Sequence, residues 1–341
     1  MARTPVTAAA VDVSRGGAAP AGASGAERIS ALAQRHGALV VLVAVVLVTS
    51  LSFDTFFTGY NLNRLAVNAA FLAIVALGMT FVIITGGIDL SVGSVFALGG
   101  VLAAWASQYG TLPALLVPVA AAGAIGLANG LLVARTRLAP FIVTLASMLG
   151  ARGLMLAVSG EGNETYLVPQ GSAFLELAQG GLFGIGYPVY LTLALFGLGG
   201  LLLRRTGFGQ SVYAVGGNED AAALMGVRVA RTKLTVYLMS GLLAGFAGAL
   251  NAAYLGSGVT ILGFAMELDA IAAVVIGGTL LTGGLGYVSG SLVGVLLLKV
   301  IQNVINLIGS LSSSYQQVVS GLFLIAVVVA QTYLSRRRRI G

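Results

Sequence analysis

Ten apolar runs, each about as long as a bilayer is thick, dominate this chain. They lie at approximately 37–53, 66–85, 91–109, 112–134, 140–158, 187–203, 234–255, 266–281, 286–306 and 315–334. A membrane-spanning helix needs about 20 apolar residues, within about 17–25, and lipid obliges it to satisfy its own backbone. The eighth run is short and is interrupted by Gly277 and Gly278. Charged residues make up 9% of the 341, against roughly 25% in a soluble domain. So few charges cannot cover a water-facing surface. A soluble enzyme, a disordered protein and a nucleic-acid binder are excluded, and an all-α polytopic transmembrane helical bundle of about ten helices is expected. The 49 glycines suit helices whose backbones approach closely. The absence of cysteine excludes disulfides, thiolate metal sites and Cys nucleophiles.

The net charge of +7 is distributed by side, not by patch. Basic residues sit in the N-terminal arm, at Arg135 and Arg137, between Arg204 and Lys233, and in Arg336 to Arg339. The loop 159–186 carries Glu161, Glu164 and Glu176 and no Lys or Arg. The positive-inside bias then puts both termini in the cytoplasm, in agreement with an even helix count. Residues 1–30, rich in Ala, Gly, Pro and Ser, read as a disordered cytoplasmic arm without the early apolar core of a cleaved leader. The transmembrane body spans 31–335, with an inner loop at 204–233 and a basic tail at 336–341. Residues 54–65 read as a short helix in the outer interface. Trp105 and Tyr109 read as outer interface anchors.

Two segments interrupt the apolar pattern. TGGIDLSVGS, from Thr85 to Ser94, places Gly86 and Gly87 ahead of Asp89 and Ser91. The glycines break a helix, and Asp89 or Ser91 can accept the free N–H groups of the next one. A tight turn with a capping carboxylate and a break lining a path both fit. Thr282-Gly283-Gly284 with Gly290-Ser291 echoes Thr85-Gly86-Gly87 with Gly93-Ser94. Such an echo arises from repeats and also by chance in glycine-rich membrane chains. The second segment is VGGNEDAAALMGV, residues 215–227. After Gly217, Asn218 is a good N-cap, and Glu219 and Asp220 suit a first turn. Ala221 and Ala222 continue the helix through Leu224 and Met225, and Gly226 can end it in the left-handed conformation. The result is a self-capped helix in the cytosol, offering Ala222, Leu224 and Met225 as apolar contacts. It reads equally as a docking knob and as a helix lying on the membrane.

Polar residues within the apolar runs are few. Arg152 and Lys299 must face protein, water or a headgroup; Asp89, Glu267 and Asp269 are their candidate partners. Asn68, Asn129, Asn251 and Asn303, with Thr144 and Ser147, could line a path for a hydroxyl-rich solute or bond one helix to another. His36 is the sole histidine, so no metal site and no cofactor are expected.

GMTFVIITGGIDLSVGSVFAL (78–98), FGQSVYAVGGNEDAAALMGVRV (208–229) and ELDAIAAVVIGGTLLTGGLG (267–286) together resemble the permeases of the ribose/xylose/galactofuranose class of bacterial ABC sugar importers. The resemblance covers about 60–335. The GGN, LMG and GGTLLTGG variants look most like the galactofuranose type. The resemblance implies a pair of permeases, identical or homologous, in the bacterial inner membrane. It also implies ABC ATPase subunits inside and a periplasmic or extracellular sugar-binding protein outside, with residues 217–226 as the coupling helix. Asp220 interrupts a strict Glu-Ala-Ala there. No GxxxxGKS or GxxxxGKT phosphate loop occurs. The chain therefore reads as a non-enzymatic transport subunit with ATP hydrolysed on another subunit. Its partners are those proteins and membrane lipid, with no nucleic acid. The alternative is an ion-coupled secondary transporter using Asp89 and Asp269. The candidate path comprises Gly86, Gly87, Asp89, Ser91, Asn68, Asn129, Asn251, Asp269 and Asn303.

Overall fold

The computed structural model describes residues 25–136 and 138–308 and, beyond them, 315, 318, 321, 322 and 325; for 25–36 it describes the backbone. Its helices are α1 (Gly25–Ser52), α2 (Gly59–Ile84), α3 (Val92–Ala106, prolonged by a 3-10 turn Ser107–Tyr109), α4 (Thr111–Arg135), α5 (Pro140–Val158) and α6 (Ala173–Gln179). After the hairpin β1 (Gly181–Leu182) and β2 (Ile185–Gly186) come α7 (Tyr187–Arg205), α8 (Gly207–Gly217), α9 (Glu219–Leu224), α10 (Val229–Leu255), α11 (Met266–Ile276) and α12 (Val288–Ile308). Among the described residues, seven helices are long and apolar enough to cross a membrane, and Gly37–Ser52 is a shorter apolar helix. The polytopic helical bundle is thus present. The tenth expected run, 315–334, and the basic tail lie largely or wholly outside the described residues, as does Arg137.

From Ala69 to Ile84 α2 is apolar on nearly every side, and every one of those residues is buried. A helix with no polar face belongs at the centre of its bundle. α10 packs on α2, α3 and α4 through glycine contacts. A Cβ on Gly126 of α4 would lie 2.5 Å from the Tyr237 carbonyl oxygen, and one on Gly130 2.8 Å from the Leu234 Cα. Helices in lipid gain by such close backbone approach.

The two ends of the bundle differ in charge as expected. Arg135, Arg204, Arg205, Arg228, Arg231 and Lys233 gather at the end that carries α8 and α9, whereas Glu161, Glu164 and Glu176 lie in the opposite loop with α6 and the hairpin.

Three boundaries differ from the sequence reading. α1 starts at Gly25, inside the arm expected to be disordered to residue 30, because AERISALAQ is a run of helix-favouring residues; residues 1–24 lie outside the described set. No separate interface helix forms over 54–65: residues 54–57 turn, and Thr58 caps α2 by accepting the Asn61 N–H at 3.3 Å. The eighth run does not form a spanning helix. α11 has 11 residues, about 16 Å at 1.5 Å per residue, or half a hydrocarbon core. It ends where Gly277 packs on the Gly290 backbone without room for a Cβ and Gly278 takes φ +93°.

The segment 256–265 leading into α11 runs down beside α3. A Cβ on Gly258 would stand 2.9 Å from Val101 Cα, and one on Gly263 2.9 Å from the Gly93 carbonyl carbon. Val101 and Gly93 are about 12 Å apart along the helix. α11 therefore begins inside the bundle, next to the first turn of α3.

Candidate functional site

α3 and the 11-residue α11 both start within the protein. Irregular backbone at that depth is tolerated only where protein or a watery cavity surrounds it. At the first break, Asp89 is 1% exposed. Its Oδ1 accepts the Ser91 N–H at 3.0 Å and the Ser91 hydroxyl at 2.6 Å, and its Oδ2 accepts the Ser240 hydroxyl of α10 at 2.8 Å. Asn129 of α4 donates to the Ser91 Oγ at 3.1 Å, and Ser147 of α5 donates to Asn129 Oδ1. One polar chain thus ties the start of α3 to α4, α5 and α10. Tyr237 and Thr144 donate to the Ile88 carbonyl from either side, at 3.4 and 3.3 Å. Ser240 is 11 residues beyond the start of α10, about 16 Å, so the chain of bonds lies near mid-depth.

Ser91, the N-cap residue of α3, makes no side-chain cap bond, and Asp89 holds that residue in place from the turn before the helix. Asp89 does not pair with Arg152 or Lys299. Arg152 donates to the carbonyls of Thr260 and Leu262 at 3.1 and 3.2 Å, holding the descending segment. Lys299 donates to Gln302 at 2.9 Å, and Gln302 donates to Asp269 at 3.3 Å. The Asp269 candidate therefore belongs to a ladder between α11 and α12. Asn303 exchanges bonds with Asn61 at 2.9 and 3.3 Å. Asn68 is exposed and turns back to its own helix at Arg64 O, and Asn251 is half-buried on α10; neither joins the Asp89 network.

The two TGG segments meet. The Gly284 N–H donates to the Ile84 carbonyl at 2.9 Å, beside Gly86 at φ +78°. A Cβ on Gly283 would stand 2.8 Å from the Gly86 nitrogen, and one on Gly284 3.0 Å from Gly217 Cα. Gly216 leaves no room for a Cβ against the Ile84 carbonyl. The end of α2, the segment after α11 and the end of α8 therefore join backbone to backbone at the basic end of the molecule. Tyr213 of α8 adds a bond of 2.6 Å to the Gly286 carbonyl. Burial, with Tyr287 nearby, pushes the Tyr213 phenol up to about 12. At Gly87 a Cβ would press on the Tyr237 hydroxyl.

α9 leaves this junction through Asn218, whose Oδ1 accepts the Ala221 N–H at 2.9 Å. Gly226 ends it at φ +82°, with bonds from Gly226 N to Ala223 O and Val227 N to Ala222 O, both at 3.0 Å. Glu219 is bridged to Lys233 of α10 at 2.6 Å, while Asp220 stays exposed. Leu224 is 89% and Met225 73% exposed, but Ala222 is fully buried. Ala222 is thus a packing residue and not the surface contact that sequence suggested, because α9 lays that face on its own molecule.

Sequence reasoning missed Ser240, Tyr237, Gln302, Asn61 and Tyr213. Ser240 directly precedes the Gly241-x-x-x-Gly245 stripe of α10, the signal of close packing beside which a buried polar partner could have been sought.

The family described as "Branched-chain amino acid transport system / permease component" matches residues 61–328. The chain belongs to that family. This permease is 39% identical over 298 residues to the ribose import permease protein RbsC of Bacillus subtilis (strain 168), covering 87% of this chain and 92% of the relative. It is 36% identical over 323 residues to the L-arabinose ABC transporter permease protein AraH of Azospirillum brasilense, covering 94% of each. It is 40% identical over 313 residues to the inner membrane ABC transporter permease protein YjfF of Escherichia coli (strain K12), covering 89% and 94%. Two of these names specify a sugar, ribose or arabinose; the third specifies none. No solved structure matches the chain significantly.

Proposed function

We propose that this permease is the membrane-spanning subunit of an ATP-driven ABC importer in the bacterial cytoplasmic membrane, carrying a monosaccharide delivered by an external binding protein. Support for the sugar comes from the relatives named for ribose and arabinose. The GGN, LMG and GGTLLTGG variants favour galactofuranose among the candidates. A second permease subunit and a separate ATPase complete the assembly. α9 is the element on which the ATPase acts, through Leu224 and Met225. The observation that carries this reading is the glycine junction. The backbone leading into α9 touches the end of α2 and the segment that follows α11, so a displacement of α9 has a stiff route to both. The Asp89 network positions the start of α3 beside the path. Asn129 and Ser91 act within that network, and Asp269, Asn251, Asn303 and Asn68 are secondary path candidates.

The test is ATP hydrolysis by the reconstituted complex, with and without binding protein loaded with ribose, L-arabinose or galactofuranose. Glu219→Lys removes the anchor to Lys233, and Gly226→Val places a β-branched residue at positive φ. Both variants are expected to insert normally yet lose uptake and sugar-stimulated hydrolysis. Normal stimulation in both would remove α9 from the coupling route, and uptake sustained by an ion gradient without ATP would favour the secondary transporter.

A further inference from the structure

An apolar groove of about 430 Å³ opens between α2, α7 and α10, floored by Leu77 and Phe81 and walled by Leu195, Leu198, Leu201 and Leu243. Toward the basic end it runs into a second hollow of about 640 Å³, beneath α8 and the end of α9. Leu202 and Met239 line both, so the two hollows adjoin and together form a channel-like surface. Among the described residues, the charged ones that line it are Arg228 and Arg231, in the second hollow. Both are exposed. Lys233 nearby is already paired with Glu219, and among the described residues neither arginine has an ion-pair partner.

We propose that this channel holds one anionic phospholipid of the cytoplasmic leaflet, its phosphate against Arg228 and Arg231 and an acyl chain along α7. Four observations fit that occupant together. The apolar part follows α7 from Leu195 to Thr206, about 16 Å, the depth of one leaflet's hydrocarbon. Its wall faces outward: Leu198 is 63% and Leu201 57% exposed. Thr206, the polar residue of that part, directs its hydroxyl to the Leu202 carbonyl and accepts the Gly209 N–H, leaving an apolar surface. The charge sits where the headgroups of that leaflet lie, and a basic pocket between helices on the cytoplasmic side suits an acidic headgroup. A second copy of the chain fits less well, since symmetric contact at this mouth would bring four unpaired guanidinium groups together.

The location gives the lipid a role. Met225 and Gly226 line the hollow, so the headgroup would touch the end of α9 and brace it against α10. That consequence rests on the coupling reading; the binding itself does not.

The experiment uses the purified full-length permease and native mass spectrometry, comparing retention of phosphatidylglycerol and phosphatidylcholine with identical acyl chains. Two arginines near the membrane surface predict a preference for phosphatidylglycerol of about tenfold or more. Arg228→Gln with Arg231→Gln should abolish the preference. Leu198→Trp, at an exposed position, should lower retention of both lipids. Glycerol phosphate alone should not displace the bound lipid. Equal retention of the two lipids by the unaltered protein, or a preference surviving in the double variant, overturns the proposal. Displacement by glycerol phosphate would reduce the site to an anion site, and the lipid assignment would fall. Because the chain has no cysteine, Leu201→Cys gives a clean further check: disulfide-linked permease pairs in native membranes would identify the groove as a subunit interface and overturn the lipid reading.

Discussion

Asp89 and Asn218 each hold the entry to a helix through a side-chain oxygen that accepts a backbone N–H. Asn218 accepts the Ala221 N–H of the first turn of α9 at 2.9 Å, whereas Asp89 accepts the N–H of Ser91, the residue just before α3, at 3.0 Å. Asp89 is buried at mid-depth, where every remaining lone pair needs a protein donor, and Ser91 and Ser240 hydroxyls supply two. Asn218 stands in water, and solvent can replace any bond it loses. Similar side-chain bonds therefore fix a buried break in the first place and start an exposed surface helix in the second. The surroundings, and not the bond, decide which. A buried partner left unsatisfied costs about 1–3 kcal/mol, whereas loss of an exposed N-cap costs about 0.5–2 kcal/mol.

The sharpest way to break this comparison is Asp89→Leu. It removes three hydrogen bonds and strands the Ser91 and Ser240 hydroxyls, so the amount of folded permease and its melting temperature should both fall, and uptake should vanish. Asp89→Asn, which preserves shape and part of the bonding, should keep near-normal protein level with reduced uptake. Immunoblotting of membranes beside radiolabelled sugar uptake reads both; full transport by Asp89→Leu would remove the break from the mechanism.

An intermediate effect is expected at Asn218→Ala. Melting should barely change, because about 0.5–2 kcal/mol lost in one surface helix does not unfold the bundle, while stimulated ATP hydrolysis should drop several-fold. A melting shift as large as that of Asp89→Leu would erase the contrast between the buried and the exposed helix entry.

The smallest effect concerns Tyr213, between the two regions. Its folded-state value of about 12 lies above the ordinary 10, so the folded protein retains a proton that the unfolded chain gives up. The stability it contributes is complete below about pH 10 and declines as pH rises toward 12. Melting curves of the parent and Tyr213→Phe should therefore run parallel up to about pH 10. Above it, the parent should lose stability faster.

The halves of the problem were unequally legible in the residues. The Thr85–Ser94 and Gly217–Gly226 segments announced themselves because glycine pairs and polar caps stand out in apolar surroundings, and their local geometry follows from short-range hydrogen bonding. The partners did not. Nothing near Asp89 in the chain points to Ser240, 151 positions away, and nothing near Arg152 points to the backbone carbonyls of Thr260 and Leu262 to which it donates. Ala222 and Leu224 look alike as apolar members of one helix; only packing showed that one is buried and the other almost fully exposed. The eighth run misled because a hydropathy ruler counts apolar residues, while Gly277 and Gly278 end the helix regardless of their neighbours' hydropathy.

Sequence by itself determined that the chain spans a membrane, which end is basic, where helices break and how α9 is capped. These follow from transfer energies and local backbone geometry, which act over a few residues. Only the tertiary structure decided that the two glycine breaks and the end of α8 meet at one junction. It alone also joined an apolar groove to the Arg228–Arg231 mouth. Close approach of distant backbones depends on how whole helices pack, and nothing within any one of those segments encodes its partners.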